Sequence, residues 1–219
     1  TPATAASGFG EEGLRLDGED DYAELAPWEL GGATSFELFV KLKCTLDQTG
    51  EQRVLDFGSG DSSTDVALSR CGVCADPTAA TFAATIGQVT VPGLFGAVGT
   101  WAHVVVVMDF PKGYWFYRDG VLVKSIAEGA APARLARQRH YIGRSQYPEY
   151  SEQYAEHLFP GVVRYLAVYD RALVALSDQA SAITAYVALT AQQEPSSTPL
   201  QPSMTLWASH SARTATSTL

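Results

Sequence analysis

The sequence predicts an all-β protein, a sandwich of two antiparallel sheets followed by one helix and an extended tail. Many short runs alternate between apolar and polar residues, which is the pattern of half-buried strands. Turn-forming Gly, Asp and Pro separate these runs at intervals typical of a sandwich, and Asp119-Gly120 is a strong hairpin signal. The run from Trp101 to Asp109 is apolar on both faces, so we expect it to be a central strand.

The predicted strands follow one another through the first 170 residues or so. In the segment 35–42, for example, Phe36, Leu38 and Val40 alternate with Glu37 and Phe39, so one face of the strand is wholly apolar. The segments with a strand pattern are 14–16, 22–25, 35–42, 53–57, 65–70, 81–86, 88–91, 101–109, 113–118, 121–124, 139–143 and 162–169.

The predicted helix follows the last strand. Ser177 can cap it, and Ile183, Tyr186 and Val187 recur at helical spacing on one face. We expect this helix to pack against an edge or a face of the sandwich.

The chain divides into four segments, of which the last is rich in Pro, Ser and Thr. Leu206 and Trp207 are large apolar residues in this polar tail, so we interpret them as anchors that dock on the chain's own domain or on a partner. The segments are an N-terminal extension (1–12), the sandwich domain (13–176), the helix (177–193) and the tail (194–219).

Composition and charge exclude several classes of function. The 219 residues include 15 Lys and Arg against 24 Asp and Glu, a net charge of −9 that would repel a phosphate backbone, so we expect no nucleic-acid partner. No apolar run is long enough to span a bilayer. The chain contains no Asn and therefore no N-glycosylation acceptor, and its N-terminus shows no targeting segment, which is either absent or removed.

The three cysteines leave two interpretations open. Cys71 and Cys74 form a CxxC motif, but no second pair or histidine stands at zinc-ligand spacing. Cys44 is the third cysteine, so we expect either a structural disulfide that leaves one of the three thiols over, or three reduced thiols.

Alternating carboxylates near the N-terminus are candidates for catalysis or for a metal. Asp17, Glu19 and Asp21 resemble the carboxylate series of sandwich-type glucanases, but Gly18 breaks the run, so we do not expect them to line one cleft. Asp17 and nearby backbone carbonyls are instead a candidate ligand set for a structural calcium ion. No other cofactor is expected. His103, inside the central strand, is expected to be a buried core histidine.

The segment 145–159 joins two strong strands and is unusually rich in aromatic and acidic residues. Tyr147, Tyr150, Tyr154 and His157 are our candidate ligand-binding residues there. Tyrosine rings offer amphipathic surface on which a sugar can stack or which can fill a partner's pocket. The alternative is a loop that packs only on itself.

Several motifs, taken in order, resemble a laminin-G-like, concanavalin A-like lectin/glucanase domain. They extend from about Gly13 to Ser177, and they include the Gly-Thr-Trp-x-His strand at 99–103 and the Asp-Gly hairpin. The other matching segments are 14–25, 35–43, 141–144 and 159–173.

The resemblance implies a jelly-roll sandwich with a concave face and with rim loops that bind glycans or proteins. It also implies a non-catalytic module of a secreted, cell-surface or lumenal protein. One position departs from the family, because Arg164 stands where many relatives carry an acidic residue. A cation at this position puts the calcium site at Asp17 in doubt.

These observations favour a non-enzymatic binding module that recognises a glycan or a protein through its rim loops. The first alternative is a structural accessory subunit of a larger assembly, docked through the tail and the 145–159 loop. The second is a glycoside hydrolase, which is weakly supported because no paired-carboxylate strand is present. The fold alone does not separate these functions, because one fold hosts many.

Overall fold

The computed structural model is all-β in the part of the chain that it describes, and it contains eighteen strands there. Only the backbone is described for residues 9–10, 157, 206–209 and 213–215. The described residues are 9–10, 12–43, 51–60, 65–70, 76, 78–84, 87–109, 112–127, 130–147, 157–173, 206–209 and 213–215. The strands are β1 (Phe9–Gly10), β2 (Gly13–Leu16), β3 (Ala23–Leu25), β4 (Trp28–Leu30), β5 (Thr34–Leu42), β6 (Gln52–Gly58), β7 (Val66–Arg70), β8 (Ala80–Ala84), β9 (Gly87–Val91), β10 (Trp101–Asp109), β11 (Gly113–Arg118), β12 (Val121–Ala127), β13 (Leu135–Arg137), β14 (Arg139–Ile142), β15 (His157–Leu158), β16 (Gly161–Tyr169), β17 (Leu206–Ser209) and β18 (Arg213–Ala215).

Sixteen of these strands form two large sheets, β4 and β13 form a separate pair, and most of the strand pairs are antiparallel. Within the described residues, the nine-stranded sheet has the order β1-β2-β16-β5-β10-β11-β12, with β17 beside β16 and β18 beside β17. The seven-stranded sheet has the order β3-β14-β6-β7-β8-β9, with β15 beside β6. Two short pairs, β15 with β6 and β16 with β17, are parallel. The predicted jelly-roll sandwich is therefore confirmed.

The core lies between the two sheets, where apolar side chains from each meet. The ring of Phe36 in β5 lies 5.6 Å from that of Phe57 in β6, and Phe116 in β11 lies 5.3 Å from Phe82 in β8. All four side chains are buried. Burial of each such ring stabilises the fold by about 1.5–3 kcal/mol, so facing aromatic pairs join the sheets strongly.

The central strand and the hairpin are found where the sequence predicts them. β10 lies between β5 and β11, and the side chains of Val104 to Val107 are at most 1% exposed. Asp119 and Gly120 connect β11 and β12 with φ angles of 52° and 78°. A two-residue turn with both φ values positive suits Asp-Gly, because Asp tolerates and Gly freely adopts this conformation. The Asp119 carboxylate also accepts a hydrogen bond from the His103 backbone N–H at 2.9 Å.

Several predicted features fall outside the described residues. They are the helix over 177–193 and the cysteines at 44, 71 and 74. In the part of the chain that is described, no helix is long and apolar enough to cross a membrane.

A buried histidine in the seven-stranded sheet leads to a prediction for acid stability. The imidazole of His140 stacks on Trp28 with ring centroids 3.6 Å apart, and its Nε2 lies 3.0 Å from the Arg137 carbonyl. Burial lowers the pKa of His140 from 6.5 to about 4. Between pH 6.5 and 4, His140 is therefore protonated in the unfolded chain but neutral in the folded chain. The free energy of unfolding falls as the pH drops through this range.

We expect His140→Gln to remove this part of the pH dependence. Urea denaturation at several pH values between 7 and 4.5 measures it. The native chain should lose more stability across this interval than the variant does. Parallel curves for the two proteins would contradict the prediction.

Candidate functional site

A groove of about 400 Å³ opens at one end of the nine-stranded sheet, where β2, β5 and β16 meet the loop before β10. We call it the rim groove. Its lining includes Glu12, Arg15, Asp17, Lys41 and Val162. The volume is in the range of pockets that hold small ligands.

One row of side chains across four neighbouring strands supplies three of the residues that line the rim groove, and its fourth member, Trp101, stands beside the groove. Arg15 in β2 pairs with Val162 in β16, Val162 pairs with Lys41 in β5, and Lys41 pairs with Trp101 in β10. Residues directly opposite each other in a sheet point to the same face, so these four side chains stand side by side. Leu14, Leu16 and their neighbours point to the opposite face, into the core.

Glu12 connects two basic side chains of this row. Its carboxylate accepts a hydrogen bond from the Lys41 ammonium at 2.9 Å and lies 3.4 Å from the Arg15 guanidinium. The hydrogen bond from Lys41 is the main reason that the pKa of Glu12 is below its usual value, and the positive charges of Lys41, Arg15 and Arg164 add to the effect. The carboxylate is therefore ionised at neutral pH.

The indole of Trp101 lies next to these cations. The Lys41 ammonium is 4.8 Å from the ring centroid and the Arg164 guanidinium is 6.0 Å from it. Arg164 is exposed and lies two positions after Val162 in β16, so ordinary alternation places it on the same face, at the irregularity between Val163 and Tyr165. An aromatic ring thus stands beside charged donors and acceptors, an arrangement that provides both stacking and hydrogen bonds.

An acidic turn forms another wall of the rim groove. Oδ1 of Asp17 accepts hydrogen bonds from the backbone N–H groups of Glu19, Asp20 and Asp21 at 2.8–3.3 Å. Partial burial raises the pKa of Asp17, but these three donors outweigh it and hold the pKa below its usual value. This turn fits Asp17-Gly18, in which Gly18 has a φ of 86°.

The acidic turn offers an incomplete set of ligands for calcium. One carboxylate oxygen from each of Asp17, Asp20 and Asp21 lies within 4.8 Å of the others. Calcium takes six to eight oxygen ligands, and Oδ1 of Asp17 is already occupied by three N–H donors. The assignment of calcium to Asp17 therefore stays a prediction, and no step of the function proposed below depends on it.

The first residues of the 145–159 loop are held by a buried carboxylate of β6. Asp56 is 1% exposed, and its Oδ1 accepts a hydrogen bond from the Gln146 side chain at 2.8 Å. Tyr147, a predicted ligand-binding residue, donates its hydroxyl hydrogen to Asp65 at 2.5 Å. In this structure the Tyr147 hydroxyl therefore supports the loop, and the ring is half-buried.

The other predicted site residues are distributed over the molecule. Tyr150 and Tyr154 lie outside the described residues. The backbone of His157 forms β15 and pairs with Gln52 of β6. Trp207, predicted with Leu206 as a docking residue, lies in β17. Its backbone pairs with that of Ala167 in β16 and so extends the chain's own nine-stranded sheet. These roles in ligand binding and docking stay predictions.

Comparison with known proteins identifies the family. The family model described as the Concanavalin A-like lectin/glucanases superfamily (Laminin G 3) matches residues 17–177. The chain belongs to this family. No curated protein sequence matches it.

Solved structures share the fold of this lectin-like chain at low sequence identity. A heptameric SAP-like pentraxin from Limulus polyphemus has 16% identity and a TM-score of 0.54, with 74% of each chain covered. The CBM40 of the Ruminococcus gnavus IT-sialidase, bound to α2,3 sialyllactose, has 14% identity and a TM-score of 0.54, covering 79% of this chain and 96% of that one. Domain 4 of a GH43 extracellular arabinanase from Geobacillus stearothermophilus, in complex with arabinotriose, has 17% identity and a TM-score of 0.55, covering 79% and 75%.

Sequence analysis singled out Asp17, which lines the rim groove, but it missed the groove's basic side chains and the neighbouring Trp101. Glu12, Lys41 and Trp101 did not stand out, because they belong to segments far apart in the chain. The polar position of Lys41 in the apolar alternation of β5 was visible, but only the register of the strands places it beside Trp101 and Arg15.

Proposed function

We propose that this chain is a non-catalytic carbohydrate-binding module that holds a glycan in the rim groove. The observation that carries the proposal is a row of side chains in which Arg15, Val162 and Lys41 line a 400 Å³ groove and Trp101 stands beside Lys41 at its edge. A sugar ring has apolar C–H faces, which stack on an indole, and hydroxyl groups, which bind charged donors and acceptors. The groove and the adjoining Trp101 provide both kinds of contact within one row of side chains.

The comparisons support the same class of function. Two structures with this fold were solved with an oligosaccharide, one with sialyllactose and one with arabinotriose. The alternative of an accessory subunit, docked through the tail and the 145–159 loop, is less well supported. The backbone of Trp207 already pairs with the chain's own β16, and that of Leu206 pairs with β18, whereas that alternative favours a tail that projects away.

Binding to a glycan array tests the proposal. We expect Trp101→Ala to weaken binding about tenfold, because loss of an aromatic stacking contact costs about 1.5 kcal/mol. Trp101→Phe keeps an aromatic ring and should retain most of the binding. Trp115→Ala is the matched control, because Trp115 lies in β11 opposite Val107, near the far end of β10.

A second variant separates the groove from the predicted loop site. Tyr150→Ala should leave binding unchanged if the rim groove holds the glycan. Loss of binding in Tyr150→Ala, but not in Trp101→Ala, would show that the glycan binds at the 145–159 loop instead of the rim groove. Binding of no glycan, together with elution in a large complex from native extract, would favour the accessory subunit. Release of reducing ends from a bound glycan would favour the hydrolase.

A further inference from the structure

One wall of the rim groove carries an excess of positive charge in a protein whose net charge is −9. Among the described residues, Arg15, Lys41 and Arg164 all act on the single carboxylate of Glu12. Lys43 lines the same groove, one position beyond the end of β5. Such a concentration of cations against the overall charge of the chain attracts an anionic group.

Asp17 and Asp21 line another part of the groove, so the excess of cations is local to the cluster around Glu12. The Glu12 carboxylate is about half exposed and forms an ion pair with the Lys41 ammonium. It therefore occupies the place that an external anion would take.

We propose, building on the proposed function, that the glycan in the rim groove carries a carboxylate or sulfate group that replaces Glu12 on Lys41. The ligand anion binds the ammonium of Lys41 and the guanidinium of Arg15, while a sugar ring stacks on Trp101. Lys41 touches both the indole and the carboxylate, so one residue joins the stacking contact and the ionic contact. Glu12 acts as an internal competitor that weakens binding of the acidic ligand.

The experiment uses the full chain and an array that pairs each acidic glycan with a neutral counterpart. The pairs include trigalacturonic acid with its methyl ester, and 3′-sulfated with unsulfated lactose, so that the array separates carboxylate from sulfate ligands. We expect the acidic member of a bound pair to give the stronger signal. Raising NaCl from about 0.05 M to about 0.5 M should weaken that signal more than the neutral one.

Two charge variants test the roles of Glu12 and Lys41. Glu12→Gln should raise the affinity for the acidic glycan about fivefold, because an exposed ion-pair competitor is worth up to about 1 kcal/mol. Lys41→Gln should lower it about tenfold, because a charge-assisted hydrogen bond is lost. Glu29→Gln and Lys112→Gln are matched controls, since both residues form exposed ion pairs, with Arg134 and Asp109.

The outcomes separate this inference from the proposed function. Equal binding of acidic and neutral glycans, unchanged in Glu12→Gln and Lys41→Gln, would overturn the inference and leave the glycan-binding module standing. Binding of no glycan on the array would overturn both. Acidic preference that Glu12→Gln strengthens and Lys41→Gln removes supports the inference, and the stronger of the two pairs identifies the anion.

Discussion

Replacing Glu37 by Ala should lower the free energy of unfolding by about 3 kcal/mol, since it removes the acceptor that Glu37 provides to the buried His103 and to the half-buried Tyr169 hydroxyl. Glu37 lies in β5 and is 9% exposed. Its Oε1 lies 2.9 Å from Nε2 of His103, and its Oε2 accepts a hydrogen bond from the Tyr169 hydroxyl at 2.5 Å. Because a carboxylate only accepts, Nε2 of His103 carries the proton in this arrangement.

Urea denaturation near pH 7 measures the loss, with Glu29→Ala as the matched control. Glu29 forms an exposed ion pair with Arg134, so its replacement should change stability by no more than about 0.5 kcal/mol. Glu37→Gln keeps one acceptor oxygen, so its loss in free energy of unfolding should lie between those of Glu37→Ala and Glu29→Ala. Equal stability of Glu37→Ala and Glu29→Ala would show that the Glu37 network contributes nothing.

The same network makes a pH-dependent contribution to stability. Burial raises the pKa of Glu37, but hydrogen bonds from His103 and Tyr169 outweigh it and hold the pKa below its usual value of 4.5. A lowered carboxyl pKa stabilises the fold above pH 4.5, and this stabilisation is lost as the pH falls through the folded value. The difference between the native chain and Glu37→Gln should therefore shrink below pH 4.5, a window lower than that of His140.

Replacing Gly113 by Ala should lower the free energy of unfolding by about 4 kcal/mol or prevent folding. Gly113 begins β11 with a φ of 129°, which other residues rarely adopt. A Cβ at this position would lie 1.9 Å from the carbonyl oxygen of Ile126, in the paired strand β12. The backbone of the β11–β12 pair would have to move, because the obstructing atom is not the end of a flexible side chain.

Gly87→Ala is the matched control for Gly113→Ala. Gly87 also has a positive φ, 79°, but no atom lies within 4 Å of the position of an added Cβ. Its replacement should lower the free energy of unfolding by about 1–2 kcal/mol, which is the backbone strain alone. Chemical denaturation of both variants separates the two effects, and equal losses would show that the close approach at Gly113 relaxes without cost.

Local patterns in the sequence were enough to predict the fold class. Alternation in 35–42 and the apolar run of 101–109 depend only on neighbouring residues, because side chains alternate every second residue in a strand. The hairpin at Asp119-Gly120 depends on the φ preferences of two residues. These features were confirmed because each is decided within a few positions of the chain.

The candidate site could not be predicted in the same way. The sequence analysis singled out Tyr147 and its loop because aromatic and acidic residues are adjacent there in the chain. The candidate site instead combines Arg15, Lys41 and Val162 of the rim groove with Trp101 beside it, and these residues meet because β2, β16, β5 and β10 are neighbours in one sheet. The order of strands in a sheet is a long-range property that alternation within each strand does not encode.

The amino-acid sequence by itself therefore determined that this chain folds as an all-β sandwich with a central apolar strand and a tight Asp-Gly hairpin. Only the tertiary structure decided which charged and aromatic side chains share a face, including Glu37 with His103 and Tyr169. The physical reason is that strand alternation is local, whereas pairing between distant strands sets the contacts that bind ligands and bury charge.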